Sequence, residues 1–246
     1  MSATGSSLEP ASLGAQAQVF VANIDDPHIE AAEWHHMSSV LRLRPGELVV
    51  ASDGRGAWRR CVFDAKAAGG LQVEGEVVRV ERPVPAVTVG FVPVKGARPD
   101  WVVQKLTEVG VDRIVVLRST RSVVRWEGAR EQRALERLCR VAREAAAQSR
   151  RAWLPEVDGI VSLAEMQRAL APVPLALAER GGQPPSLALP AVAAGPEGGW
   201  DQADLLASET RVGLGERILR AETAAVGAGL LLCAMRGGLV RPTEEA

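Results

Sequence analysis

Residues 189–208 read LPAVAAGPEGGWDQADLLAS, and residues 212–235 read VGLGERILRAETAAVGAGLLLCAM. Each stretch sets a short apolar run, a glycine-bearing loop and a helix-forming run in that order. Leu189–Ala194 predicts a strand and Trp200–Ser208 a helix; Val212–Leu214 predicts a short strand and Glu222–Met235 a closing helix. A strand that hands over to a helix is the unit of a parallel sheet, because parallel neighbours need a crossover. Working back toward the N-terminus, Val173–Ala178 and Arg113–Leu117 predict strands, and Glu127–Gln148 a long helix. Arg98-Pro99-Asp100 opens another helix, with Pro near its first turn. That helix runs to Val109 and stops at Gly110, where a C′ glycine belongs. Ala86–Val92 predicts a buried strand before it. The expectation for residues 86–246 is an α/β domain on a mostly parallel sheet.

Upstream the pattern changes. Val19–Ala22, Leu48–Ala51, Trp58–Phe63 and Leu71–Val80 predict strands, and Asp53-Gly54-Arg55-Gly56 a tight turn. Ser38–Arg42 predicts a helical turn or two. Strands with little helix suggest a small β-barrel-like domain over 19–80. Arg82-Pro83-Val84-Pro85 is a stiff break, so residues 81–85 predict a linker. Met1–Gln18 is rich in Ser, Ala, Gly and Gln and carries neither a basic nor an apolar signal region. It predicts a disordered tail.

The chain has 246 residues, 47% of them apolar and 24% charged. That excludes a fibrous or low-complexity protein. Its longest uncharged apolar stretch, Thr223–Met235, has 13 residues. A membrane-spanning helix needs about 20, so no membrane partner is expected. Cys61, Cys139 and Cys233 match no zinc or redox spacing, and an odd set of cysteines fits the reducing cytoplasm. His35 and His36 are adjacent, so their side chains diverge; no metal is expected.

The formal net charge of −1 conceals an uneven distribution. Residues 95–153 hold 14 basic and 7 acidic residues, while residues 1–80 are net −3 and residues 154–246 net −5. A basic middle is the asymmetry of a local polyanion site. Arg130, Arg133, Arg137 and Arg140 recur at spacings of 3, 4 and 3, which puts them on one stripe of a helix. The alternative for that stripe is a solvated face. Trp58, Trp126 and Trp200 could stack on bases or pack in the core.

The two glycine loops follow strands, where ligands bind in open parallel sheets. Neither fits the phosphate-cradling patterns, and Glu197 would repel a phosphate. The second loop sets apolar residues beside bare backbone, which suits an adenine ring.

Gly195-Pro196-Glu197-Gly198-Gly199 followed by Leu214-Gly215-x-Arg217-Ile218-Leu219-Arg220-x-Glu222-Thr223-Ala224 resembles the SPOUT class of methyltransferases. His36 with Val40-Leu41-Arg42, Asp53-Gly54-x-Gly56, Gln104-Lys105-x-x-Glu108-x-Gly110, Arg121-Ser122-Val123-Val124 and Glu144-Ala145-x-x-Gln148-Ser149-x-Arg151 fall in order with it. Together they resemble the ribosomal RNA small subunit methyltransferase E family, which methylates N3 of a uridine in 16S rRNA. The resemblance spans about residues 19–236.

It implies a PUA-like RNA-binding barrel at the N-terminus and a SPOUT-type, trefoil-knotted sheet after it. It implies a homodimer, S-adenosylmethionine as cofactor, and 16S rRNA or the small ribosomal subunit as partner. Leu177, Ala194, Gly195, Gly199, Leu214, Gly215, Ile218 and Leu219 would line the cofactor pocket. Arg42, Arg44, Lys95, Arg98, Arg121, Arg150 and Arg151 would meet RNA, or else be ordinary surface arginines. Some positions depart from the family pattern. Gln18-Val19 stand where an Arg usually precedes the first Phe, Glu216 replaces a proline, Ala221 a threonine, and Asp204 is a mild change.

Methylation at N3 needs an unpaired uridine whose imide proton is lost. A cation beside the developing anion would lower the barrier. Arg220 is the candidate; a phosphate clamp or an ion pair to Glu222 are its alternatives. Glu197 is the candidate general base, with a helix cap as its alternative. A second class of function stays open: an RNA-binding or ribosome-assembly protein of this fold without catalysis. So does methylation of another RNA.

Overall fold

The computed structural model describes residue 10 and residues 14–96, 98–122 and 124–241, leaving aside the side chains of 31, 32, 36, 68, 203 and 207. The chain divides into two compact units that are not consecutive stretches. One runs to Arg82 and takes in Arg143–Leu154; the other joins Pro83–Ala142 to the chain from Pro155 onward.

In the first unit, β1 (Ala17–Phe20) is followed by α1 (Ala31–His35) and a π-type turn at His36–Val40. Then come β2 (Leu48–Ser52), β3 (Ala57–Phe63), a short 3-10 turn, β4 (Leu71–Val73) and β5 (Val78–Arg79). β1 pairs parallel to β2, β2 pairs antiparallel to β3, and β3 carries both β4 and β5. The β2–β3 turn is set by Asp53, whose Oδ1 accepts from the amides of Arg55 (2.7 Å) and Ala57 (3.0 Å). Gly54 and Gly56 sit at φ +69° and +95°, and a Cβ on them would strike Leu154 and Trp153. Val19, Val49, Ala51, Cys61 and Phe63 form the core on one side of the sheet; Val50, Trp58 and Ala152 form a smaller cluster.

Residues 143–154 belong here for physical reasons. Arg143 donates through Nη2 to the Phe20 carbonyl (3.0 Å), pairs with Glu33 (3.2 Å) and lies over the Phe20 ring. The expected boundaries, 19–80 and 86–246, keep this segment with the later residues, whereas by its contacts it groups with the first unit. The expected tail also ends early: Ala17 and Gln18 are buried in β1, and Gln18 Nε2 donates to the Arg151 carbonyl at 2.7 Å. Most of the tail lies outside the described residues. The single strand expected over 71–80 is broken between β4 and β5.

The second unit starts with β6 (Thr88–Phe91), α2 (Arg98–Glu108), β7 (Arg113–Arg118) and α3 (Ala129–Gln148), which ends in the first unit. β8 (Glu156–Ser162) and α4 (Leu163–Leu170) follow. The chain then forms β9 (Leu175–Gln183), β10 (Ala191–Ala194), α5 (Gln202–Ala207), β11 (Arg211–Val212) and α6 (Ala221–Arg236). The sheet order is β11-β9-β10-β6-β7-β8, every pair parallel. The α/β expectation holds, and β8 and α4 are additions to it.

The pleat sorts the side chains. Val89, Phe91, Ile114, Val116, Ala176 and Val192 face Val102 and Leu106 of α2, Leu138 of α3 and Ala228 and Leu232 of α6. Val115, Leu117, Leu175, Leu177 and Ala193 face Leu163, Met166 and Leu170 of α4. Helices therefore cover both faces. Arg236 closes the structure behind β6: it pairs with buried Asp112 and donates to the carbonyls of Pro85 (3.1 Å) and Gly110 (2.8 Å). Asp112 also accepts from the Val87 amide at 2.8 Å. Among the described residues no helix is long and apolar enough to cross a membrane.

Candidate functional site

The strand order reverses between β6 and β10. From β6 the chain steps outward through β7 and β8; β10 lies on its other side. Loops leaving the carboxyl ends of these two central strands diverge, and the gap between them is where an open parallel sheet binds ligands. A cleft of about 500 Å³ lies there, lined by Val94, Lys95, Arg98, Glu197 and Arg220. Four of the residues expected to act in catalysis or RNA contact thus share one cleft.

Arg98 is the first residue of α2, anchored by buried Pro99, Val102, Val103 and Leu106. Its Nη1 lies 3.5 Å from Glu222 Oε1 and 3.7 Å from Glu197 Oε1. Glu222 follows the second loop and keeps only 11% of its side chain exposed. It was not among the expected site residues; its motif position was legible, its partner was not. Because Glu222 pairs with Arg98, the ion-pair alternative for Arg220 gives way. The capping alternative for Glu197 also gives way, since Asp201 caps α5 in a capping box with Asp204.

The first glycine loop is held from two sides. Arg121 Nη1 donates to the Gly198 carbonyl at 3.0 Å, and Ser119 Oγ donates to Asp204 Oδ2 at 3.1 Å. Thr120 donates to Asp201. Arg121, expected to meet RNA, therefore supports the loop. Beneath it Trp200 is 6% exposed, with its indole Nε1 buried and without a partner. A Cβ on Gly195 would lie 2.8 Å from Trp200 Cε2.

The second loop departs from this plan. Leu214 is half-buried and Gly215 to Arg220 are exposed, with Ile218 at 86%. Gly215 has φ +122°, and a Cβ there would meet open space. Gly215 lines a second cleft of about 520 Å³ with Arg180, Gly181, Gly182, Pro184, Pro185, Gly213 and Glu216. Leu177 and Ala194 are fully buried within β9 and β10. Bare glycine backbone beside exposed apolar side chains suits a flat, partly apolar ligand such as adenosine, so the residues fit the expected cofactor.

Arg42, Arg44, Arg150 and Arg151 belong to the other unit. Arg150 donates to the Ala15 carbonyl at 2.9 Å, and burial lowers its pKa. Arg130, Arg133, Arg137 and Arg140 are all exposed on α3, and Arg137 pairs with Asp100 at 3.1 Å. Trp58 and Trp200 are buried, which favours packing over base stacking; Trp126 is half-buried against the core.

A family model described as an RNA methyltransferase domain matches residues 80–232, and one described as an RNA methyltransferase PUA domain matches 29–72. The ribosomal RNA small subunit methyltransferase E of Mycobacterium bovis is 39% identical over 137 residues, 54% of this chain and 52% of that relative. The chain thus spans about half the length of that relative. The protein of the same name from Synechocystis is 32% identical over 213 residues, 80% of this chain and 69% of the relative. The crystal structure of a ribosomal RNA small subunit methyltransferase E from Neisseria gonorrhoeae, bound to S-adenosylmethionine, superposes with a TM-score of 0.71. It is 24% identical and covers 89% of this chain and 97% of its own.

Proposed function

The chain belongs to the RNA methyltransferase family that includes ribosomal RNA small subunit methyltransferase E, and from that premise we propose that it methylates N3 of a uridine in 16S rRNA, using S-adenosylmethionine. The observation that carries this reading is the cleft at the strand-order reversal, where Lys95 and Arg98 meet Glu197 of the first glycine loop and Arg220 at the end of the second. On this reading those loops form the cofactor knot. Gly195, Gly199 and Gly215 offer bare backbone and Leu214, Ile218 and Leu219 the apolar wall, while Leu177 and Ala194, buried in β9 and β10, underlie it. The cofactor supplies an activated methyl group.

The chain's own residues do the rest. N3 is on the Watson–Crick face, so the target uridine must be unpaired and turned out of its stack. Arg220 offsets the negative charge that grows on the uracil as N3 loses its proton. Glu197 is the carboxylate we assign to accept that proton. Lys95 and the arginines of the first unit (Arg42, Arg44, Arg150 and Arg151) meet RNA phosphates. The protein acts in the cytoplasm as a homodimer, and sedimentation should give about twice the 26.1 kDa chain mass.

The test is reverse transcription of 16S rRNA after incubating small ribosomal subunits from a strain lacking the modification with the protein and S-adenosylmethionine. A methyl on N3 blocks pairing and halts the transcriptase. A new stop at one uridine, absent without the cofactor, is expected. Full-length cDNA despite measured cofactor binding would overturn the reading.

A further inference from the structure

The geometry points to Arg98 as a positioning residue that ties the two glycine loops together for the cofactor, and not as a phosphate contact. This rests on the methyltransferase reading of the same site. Glu222 is the reason. Its side chain is 11% exposed, its Oε2 is buried without a hydrogen-bond partner, and its Oε1 lies 3.5 Å from Arg98 Nη1. A carboxylate withdrawn from water needs a cation beside it, and stripping that cation leaves an uncompensated buried charge. Arg98 can serve because its backbone is fixed: it starts α2, whose next turns are buried at Pro99, Val102, Val103 and Leu106.

The same Nη1 lies 3.7 Å from Glu197 Oε1. Glu197 belongs to the loop after β10, and Glu222 to the first turn of α6, directly after the loop that follows β11. One guanidinium therefore stands between a carboxylate of the first loop and one on the helix turn that ends the second. The Glu197 side chain is 54% exposed, so its pairing is screened by water and is the weaker arm. With two carboxylates already beside it, Arg98 has little charge to offer an arriving phosphate. Lys95 and Arg220 share the cleft and, among the described residues, neither is paired with a carboxylate, so they are the better cations for RNA.

The two roles separate experimentally. Arg98→Gln is compared with the wild-type chain in calorimetric titration with S-adenosylmethionine. In parallel, binding of a fluorescein-labelled, uridine-containing RNA hairpin is measured across a salt series. A tie predicts that cofactor affinity falls tenfold or more while the slope of log affinity against log salt stays unchanged. A phosphate contact predicts unchanged cofactor affinity and a slope shallower by about 0.7–0.9. Unchanged cofactor affinity overturns the proposal.

Adding Glu222→Gln to Arg98→Gln removes the charge that needs the tie. The double variant should melt higher than the sum of the two single effects, whereas additive effects would overturn the pairing. If Arg98→Gln does not fold, the double variant, which leaves no uncompensated carboxylate at Glu222, is judged by the same two criteria. If the wild type fails to bind S-adenosylmethionine, the methyltransferase reading fails. The melting comparison then still decides whether Arg98 and Glu222 are coupled.

Discussion

Gly195→Ala tests the floor of the first glycine loop with a single methyl group. Gly195 is not at a positive φ, so alanine adds no backbone strain and the perturbation is purely steric. The new Cβ would lie 2.8 Å from Trp200 Cε2, 3.0 Å from Nε1 and 3.2 Å from Cδ2. The indole cannot swing aside freely, because it is 6% exposed and packs in the cluster with Met166, Leu177 and Ala193. Forcing a methyl into a filled site costs about 1–3 kcal/mol. That cost must emerge somewhere. If the ring yields, the protein loses stability by that amount. If the loop yields, cofactor affinity falls by about 5- to 150-fold, since 1.4 kcal/mol is tenfold. Urea unfolding and calorimetric titration with S-adenosylmethionine read the two arms, and their free energies should together reach that range. Trp200→Leu in the same chain removes the opposing ring, so the double variant should regain affinity relative to Gly195→Ala alone. A Gly195→Ala protein with wild-type stability and wild-type affinity would show that Trp200 does not wall this loop.

Three further outcomes follow from the geometry. Arg236→Met takes the cation away from buried Asp112 and should destabilise the second unit by about 3–5 kcal/mol, with Asp112→Asn recovering part of it; a loss below about 1 kcal/mol in denaturant unfolding would contradict the pairing. Burial pushes the Cys61 thiol up to about 11 from an ordinary 9.0, so the unfolded chain releases this proton first as pH rises. Stability present below pH 9 should therefore decline between pH 9 and 11, and a Cys61→Ala protein whose decline over that window matched the wild type would rule out the thiol as its cause. RNA affinity should fall steeply with salt, by a log–log slope of about 0.7 for each single-strand phosphate neutralised; binding indifferent to salt would remove Lys95 and the arginines of the first unit as phosphate contacts.

The alternation of apolar runs with helices made the second sheet legible, because each buried parallel strand is a short apolar stretch. β8 escaped for the opposite reason. It is an edge strand of sequence EVDGIVS in which only Ile160 is buried, so Asp158 and Gly159 read as a loop. The start of α4 was nevertheless written in the sequence, since Ser162 and Glu165 form a reciprocal capping box. The end of α3 is a different case. Its periodicity runs unbroken from Ala129 to Gln148, so no local signal marks Arg143 as the residue where the chain joins the other unit. That is decided by Phe20 and Glu33, more than a hundred residues away in sequence.

The site divides along the same line. A loop's position follows from its strand, so both glycine loops could be set at the carboxyl edge from sequence. What each side chain touches depends on the strand order, which brings β6 against β10 although about a hundred residues separate them. Arg98 illustrates the consequence. Read along the chain, it is one of several arginines in a basic stretch, and phosphate is the natural partner. Once the central strands are paired, the start of α2 stands beside both glycine loops, and two carboxylates reach the guanidinium before any RNA does. Positive charge in a sequence thus marks where a polyanion could bind only to the extent that the fold leaves that charge unspent, and here the reversal of strand order spends Arg98 on the protein's own loops.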